Sequence, residues 1–451
     1  MDERFRFQPD LAKSWERVDE LTYLFHLRRG VTFHNGKPLT SADVKFTYES
    51  VLHPMSALPK RGGLRWLDAV DAVGPYTVRF RLTTPHAPFL ENSTLGIVPA
   101  DSPVQWDWKG GKLLGSGPFF LEKYVPDEKI ILKANPSYWG GTPKVSGLVF
   151  KIIPDAIVRV LEFKKGEIHF LQNDIEPDII PWLKRKTNAS ISIRQGTIFQ
   201  YMGINLNHPI LRRRGIREAI AHAIDREAII RHLLKGLALP ATGLLSPLHW
   251  AYEPAVKRYS YDPEKAKRLL DRSGFEDPDG EGPRPRFKLS FKTTTLDIRR
   301  RIAEVIKEQL KQVGIELEIQ SHEWGTFYGD IKKGRFHLYS LAWVGIADPD
   351  IYFTIFHSQS IPPSGDNRGR YQSPAADRLL EAGRTSLDQD DRRRIYSKVQ
   401  KILAADLPYI PLWWVKNVVV TTPTLRGFVP YPDGSLNSLK DVTFRPVKTA
   451  S

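Results

Sequence analysis

The sequence predicts a mixed α/β protein built as several lobes, on three observations. The chain has 451 residues, more than one hydrophobic core ordinarily serves, so two or three domains are expected. Its first third is rich in strand patterns. Residues 287–320 read as strand, helix, strand, a unit that implies a parallel pair.

In chain order, "TYLFHLRRGVTF" (22–33) is apolar and β-prone. "YTVRFRLT" (76–83) alternates, with Val78, Phe80 and Leu82 on one face and Thr77, Arg79 and Arg81 on the other, as a half-buried strand does. Between them "LTSADVKFTYESVL" (39–52) opens with Thr40 and has Asp43 three residues on, a capping pair for a helix. "GPFFLEKYV", "KIILKAN" and "GLVFKIIP" are a second group of strands. In "RGIREAIAHAIDREAIIRHLLKG" (214–236) the apolar residues recur at helical spacing, Asp225 is placed to cap a fresh N-terminus, and Gly236 stops the pattern. "FKLSFKTTT", "LDIRRRIAEVIKEQLKQV" and "IELEIQ" make the β-α-β unit, with Gly314 at the helix end. Ser373 before Pro374 starts another helix, and "DQDDRRRIYSKVQKILAADLP" is the last, closed by Pro408. "SGFEDPDGEGPRPR" (273–286) is a surface loop.

Composition narrows the function. The chain has no cysteine, which excludes disulfides, thiolate nucleophiles and Cys-ligated metals. No apolar run approaches the ~18–20 residues of a membrane span, and "MDERFRFQPDLAKSW" lacks the pattern of a signal peptide. The net charge of +15 admits nucleic acid or an anionic surface as partner. However, the basic clusters "LRRRGIRE", "DIRRRIAEVIKEQLK" and "DQDDRRRIYSKVQK" interleave with acids in amphipathic patterns, as solvated helix faces do.

Catalytic motifs are missing. There is no Gly-x-Ser-x-Gly elbow, no phosphate-cradling loop ending in Lys-Ser/Thr and no paired histidines at metal-ligand spacing; "HEWGT" (322–326) has only one His. Asp348 and Asp350 in "LAWVGIADPDIYFTIFHS" (341–358) are the best carboxylate pair, but two residues apart around Pro349 they read as shaping the loop or capping a helix. Aromatics, by contrast, are abundant: 11 Trp, 16 Tyr and 22 Phe, several in strand ends or turns, among them Tyr201, Trp324, Trp343 and Trp413–Trp414. Aromatic-walled cavities with a few polar anchors suit organic ligands, so a binding protein without metal or cofactor stands beside an enzyme.

Four ordered blocks carry a resemblance. They are "PDLAKSWERVDELTYLFHLRRGVTFHNGKPLTSADVKFTYESVL", "GSGPFFLEKYVPDEKIILKANPSYWGG", "GINLNHPILRRRGIREAIAHAIDREAII" and "ADLPYIPLWW". Together, over nearly the whole chain, they resemble the extracellular solute-binding proteins of the oligopeptide/dipeptide/nickel class (family 5), the receptors of ABC importers. The resemblance implies a three-lobed periplasmic-binding-protein-like fold, mixed sheets in hinged lobes closing over a ligand. On that mapping a small lobe covers residues 1–116, the first ligand lobe 117–197 with 417–451, and the second 198–416, with crossings near Thr197 and Lys416 as the hinge. Members carry an export signal and first strands ahead of the first block, so an exported protein is expected, periplasmic or lipid-anchored outside the membrane. The implied partners are a small solute or peptide and the permease subunits, with no nucleic acid and a monomeric state.

The same resemblance implies ligand contacts at Tyr201, Trp324 and Trp343, with Tyr328 one helical turn after Trp324. It also implies that the backbone near "YMGIN" pairs with an extended peptide as an added strand. One position departs from the pattern. Peptide-binding relatives have an Asp three residues after the Trp matching Trp343, and it pairs with the ligand's ammonium group; here that position is Ile346. Asp348 either substitutes, if its loop curls inward, or caps the following helix. A di- or oligopeptide is the default ligand; the alternatives are an oligosaccharide, an opine, glutathione or a metal complex.

Overall fold

The computed structural model describes residues 6–54, 56, 63–102, 113–173, 175–280 and 282–445; the chain's first five residues lie outside it. Strands β1 (Ala12–Arg17), β2 (Thr22–Leu27), β3 (Leu67–Gly74) and β4 (Thr77–Leu82) form an antiparallel sheet in the order β1-β2-β4-β3. The alternation read from β4 decides its faces: Val78, Phe80 and Leu82 are buried, while Arg79 and Arg81 turn out toward Asp71 and Asp68. Helices α1 (Ser41–Leu52) and α2 (Phe89–Asn92) complete this unit, and Tyr23, Phe25, Tyr48, Phe80 and Phe89 interlock in its core. The capping pair is present, with the Thr40 N–H donating to Asp43 at 2.8 Å.

A three-stranded sheet follows, β5 (Phe119–Val125), β6 (Lys129–Ala134) and β7 (Gly147–Lys151). Its Val145, Leu148 and Phe150 pack on Leu425, Leu439 and Val442 from the far end of the chain. Next come α3 (Ala156–Lys165), β8 (Phe170–Gln172), α4 (Ile179–Lys186) and the 15-residue β9 (Ser190–Ile204).

The largest unit is a sheet sandwiched between two helical layers. Its helices are α5 (Arg214–Ala223), α6 (Arg226–His232), α7 (Pro263–Arg272), α8 (Asp297–Lys311), α9 (Trp324–Lys333), α10 (Ile351–Phe356), α11 (Pro374–Thr385) and α12 (Gln389–Asp406). Its strands, β10 (Ala238–Pro240), β11 (Phe287–Thr294), β12 (Ile315–His322), β13 (Leu338–Trp343) and β14 (Tyr409–Thr421), order with β9 as β10-β14-β9-β13-β11-β12. The last strands are β15 (Leu425–Arg426) and β16 (Thr443–Phe444). The β-α-β unit is as its pattern predicts: β11 and β12 run parallel from Phe287↔Ile315 to Thr294↔His322. Asp225 does split the 214–236 helix, accepting from the Ala228 N–H at 2.8 Å at the start of α6.

Period-two alternation sends successive residues of each strand to opposite faces. Met202, Ile204, Leu289, Phe291, Leu338 and Trp413 pack under α5 to α8. Phe199, Tyr201, Tyr339, Leu341, Tyr409 and Trp414 pack under α9 to α12. Gly203 makes this second face possible, because a Cβ there would lie 2.1 Å from the Tyr339 ring that covers it. Gly203→Ala is expected to cost about 1–3 kcal/mol through overpacking, read as a lower urea midpoint.

β9 and β14 pair from Tyr409↔Gly203 to Thr421↔Ser190 and so run through two cores. Beyond the sandwich they meet Val160, Phe163, Ile180 and Leu183 of α3 and α4. Between these cores the register breaks, since Val415 faces Ile198 and Lys416 faces Gln195, which leaves two residues of β9 bulged.

Candidate functional site

β11 runs parallel to both β12 and β13, so the carboxyl ends of all three open on one edge of the sheet. That edge is where open α/β sheets collect ligands. The loops leaving it carry large apolar side chains in the open: Leu296 is 56% exposed, Trp324 56% and Val344 66%.

Behind them runs a ladder of rings. Trp324, in the first turn of α9, stacks on Tyr328 four residues later at 5.2 Å and 9°. On the sheet, Trp343 lies parallel to Tyr201 at 6.4 Å, and Tyr201 to Tyr409 at 4.2 Å. The two halves are joined by a residue that sequence reasoning missed. Arg368 places its guanidinium 4.6 Å from the centre of Trp343 and 5.2 Å from that of Tyr328. It donates to the Tyr201 hydroxyl at 3.3 Å, the Tyr328 hydroxyl at 3.2 Å and the Asp366 carboxylate at 2.8 Å. Its side chain is only 4% exposed, against 35% for Asp366.

The segment Asn367-Arg368-Gly369 presents that guanidinium. The Asn367 side-chain amide donates to the carbonyls of His357 and Tyr371, and its carbonyl accepts from the Tyr371 N–H. Gly369 lets the loop lie against the sheet, since a Cβ would sit 2.8 Å from the Ile204 carbonyl. In the sequence this is one more arginine in a turn, and nothing local separates it from a solvated one.

Burial pushes the phenols of Tyr201, Tyr339 and Tyr409 well above their usual range, so all three are neutral. Burial also works against the charge of Arg368, but the Asp366 carboxylate and the phenol oxygens turned toward it outweigh that, and the guanidinium stays cationic.

Of the six residues singled out from the sequence, Tyr201, Trp324, Tyr328 and Trp343 are brought together in this ladder. Tyr201 is wholly buried within it and Trp324 faces outward. Ile346 and Asp348 are elsewhere. Ile346 is packed in the core under α9 to α12. The Asp348 carboxylate accepts from both terminal nitrogens of Arg392, at 2.9 Å for Nη1, and from the Asp350 N–H at 2.8 Å. Asp350 in turn takes a fork from Arg384 at 2.9 and 2.7 Å.

One expectation is overturned. The backbone of "YMGIN" cannot pair with an added peptide strand, because β9 is bonded to β13 on one side and β14 on the other over residues 199–203. The outer strands beside this part of the sheet are β10 and β12, and β8 flanks β14 farther along.

Two further features surround the ladder. From α8, Arg301 reaches Glu176 at 3.1 Å and Asp178 at 3.5 Å, and Lys235 reaches Asp178 at 3.1 Å, linking the sandwich to the segment ahead of α4. A cavity of about 400 Å³ lies by β10 and the 253–260 loop, lined by Arg226, Tyr259, Tyr352 and Phe356. Its lining includes Phe199 and Tyr409 of the ring-bearing face. Among the described residues no helix is long and apolar enough to cross a membrane.

The family model for bacterial extracellular solute-binding proteins, family 5 (middle), matches residues 6–362. The oligopeptide-binding protein AppA of Bacillus subtilis (strain 168) is 29% identical, with 97% of this chain and 84% of that protein covered. The solved structure of AppA from Bacillus subtilis with a nonapeptide superposes with a TM-score of 0.87 at 28% identity, covering 99% of this chain and 92% of that one. NikA from Brucella suis in complex with Fe(III)-EDTA superposes with a TM-score of 0.85 at 26% identity, covering 97% and 91%.

Proposed function

This chain belongs to family 5 of the bacterial extracellular solute-binding proteins, and from that premise we propose that it captures a di- or oligopeptide and delivers it to an ABC permease. Its work is binding rather than catalysis, and family members act outside the cytoplasmic membrane with ABC permeases. The observation that carries the reading is the ladder of Trp324, Tyr328, Trp343 and Tyr201 at the carboxyl edge of a three-strand parallel run, with one exposed ring and one buried charge. That is a surface for clasping an organic solute.

In our reading residues 198–416 form one gripping lobe and 117–197 with 417–451 the other, beside a small lobe of residues 1–116. The bulge at Gln195–Ile198 opposite Val415–Lys416 is the hinge. Arg301 and Lys235 against Glu176 and Asp178 are contacts of the closed form; being largely exposed, they bias closure by about 1 kcal/mol or less each. We place the protein in the periplasm or lipid-anchored outside the membrane, as a monomer. We assign nucleic acid no role, a reading supported by the local pairing of the basic clusters: Arg214 with Glu218, Arg301 with Asp297, Arg394 with Asp391.

Trp324→Ala tests the site. Because the ring is mostly exposed, the change is expected to move stability by about 0.5 kcal/mol or less. Affinity for peptides captured from a random tri- to nonapeptide library is expected to fall about tenfold or more, as for an interfacial tryptophan. Calorimetry and a urea melt read the two effects separately. Unchanged affinity places the peptide elsewhere.

A further inference from the structure

We propose that Arg368 is the polar anchor of the solute site and that it reads an anionic group, most simply a carboxylate, so that the acid end of the solute is recognised in preference to its amine end. The inference rests on the ladder being the wall of the solute cleft.

Most carboxylates near the ladder are already paired with cations; Glu323, beside Trp324, accepts from the Thr295 hydroxyl at 3.3 Å. Asp348 is held by Arg392 and the Asp350 N–H, Asp350 by Arg384, and Asp330 by Lys292 at 2.7 Å. Asp366 already pairs with Arg368. The position three residues after Trp343 is apolar and buried.

The donors, in contrast, are in surplus. A guanidinium carries five N–H groups in a rigid fork. Those of Arg368 meet two phenol oxygens and one carboxylate oxygen, and its Nε finds no acceptor among the described residues. The indole Nε1 of Trp343, whose ring Arg368 overlies, is likewise buried without an acceptor. Leaving buried donors unmatched is costly, so two on stacked neighbours mark a place that an acceptor fills. Lys332, with its ammonium 5.0 Å from the centre of Tyr328, adds a second positive charge to the same wall. An oxyanion seated there takes charge-assisted hydrogen bonds from Arg368 and a neutral one from Trp343, while the solute's apolar body meets Trp324 and Tyr328. Arginine suits this task better than lysine because its planar fork matches a carboxylate.

The test is a thermal-shift and calorimetric panel on the full chain. The probes are a random tripeptide library in free, C-terminally amidated and N-acetylated forms, a set of N-carboxyalkyl amino acids and small dicarboxylates with their methyl esters, and neutral oligosaccharides. The proposal expects binding by probes with a free carboxylate, little change on N-acetylation, and a loss of about 10- to 100-fold on blocking the carboxyl group. Arg368→Gln should erase the difference between free and blocked probes, and Arg368→Lys should restore part of it. Because the blocked probes act on the unaltered protein, a poorly folding variant leaves the test intact. Equal binding of amidated and free peptides overturns the role of Arg368 and leaves the peptide reading standing. Binding of non-peptide acids without peptides does the reverse. Binding of oligosaccharides alone, or of no probe, overturns both.

Discussion

Asp348→Asn is expected to cost about 3–5 kcal/mol of stability while leaving solute affinity unchanged. Asp348 and Arg392 are both 8% exposed and meet as a fork, and Arg392 also donates to the Gly383 carbonyl at 3.0 Å. The asparagine keeps the shape but removes the negative charge, so a buried guanidinium is left without its counter-ion. Removing one member of such a pair is far more costly than removing both, because the desolvation of the survivor is no longer offset. The double variant Asp348→Leu with Arg392→Met should therefore recover most of the loss. Urea unfolding measures the stability, and calorimetry with library-captured peptides, run well below the midpoint, measures the binding. A drop in affinity with unchanged stability would make Asp348 a grip on the solute after all.

Acid should weaken the fold through two buried histidines. His86 is 3% exposed, stacked on Trp66 at 4.7 Å, and accepts from the Asn92 amide at 3.2 Å. Burial, then Arg384 and Arg392, push its pKa down to about 3. His249 is 4% exposed, accepts at Nδ1 from the Ala251 N–H and donates from Nε2 to the Ala347 carbonyl. Burial first, with Arg392 adding to it, lowers its pKa to about 4.

Both folded values lie below the ordinary 6.5, so the sign is fixed. Above pH 6.5 the rings are neutral in folded and unfolded chains alike, with no penalty. As pH falls from there toward 4, the unfolded chain binds protons that the folded chain refuses, and stability declines. At about 1.4 kcal/mol per pH unit, the two groups together remove on the order of 5 kcal/mol by pH 4. Asp350, raised by burial, titrates the other way and recovers part of this. Urea melts of the unaltered chain and of the His86→Asn, His249→Asn double variant should diverge in slope between pH 6.5 and 4. Parallel profiles would mean that neither ring is held neutral.

The two halves of the site were unequally legible. Trp324 and Tyr328 are four apart, a spacing the resemblance places on one helical turn, so their stacking follows from the geometry of that turn. Tyr201 and Trp343 belong to strands that alternate, and they share a face once those strands pair. Arg368 gives no such sign. It sits in a turn among Asp366, Gly369 and Arg370, and its burial comes from Tyr201 and Trp343, more than 20 residues upstream, and from α9 packing over them. Asp348 misleads for the same reason: its partner Arg392 is 44 residues away, in a run of three arginines that all look solvated. Arg393 and Arg394 are indeed exposed, and only Arg392 faces inward.

By itself the sequence determined many of the elements and the family. Strand alternation, helix caps such as Thr40, Asp225 and Ser373, and four ordered blocks are short-range signals, written in neighbouring residues and set by backbone stereochemistry. Only the tertiary structure decided which charges face the solute. Whether a charged side chain is spent on an ion pair or left with unmatched donors depends on partners distant in the chain, and on the low-dielectric surroundings that make an unpaired group costly. That is why the conspicuous acid of "ADPD" is turned into the frame, and an inconspicuous arginine stands behind the rings.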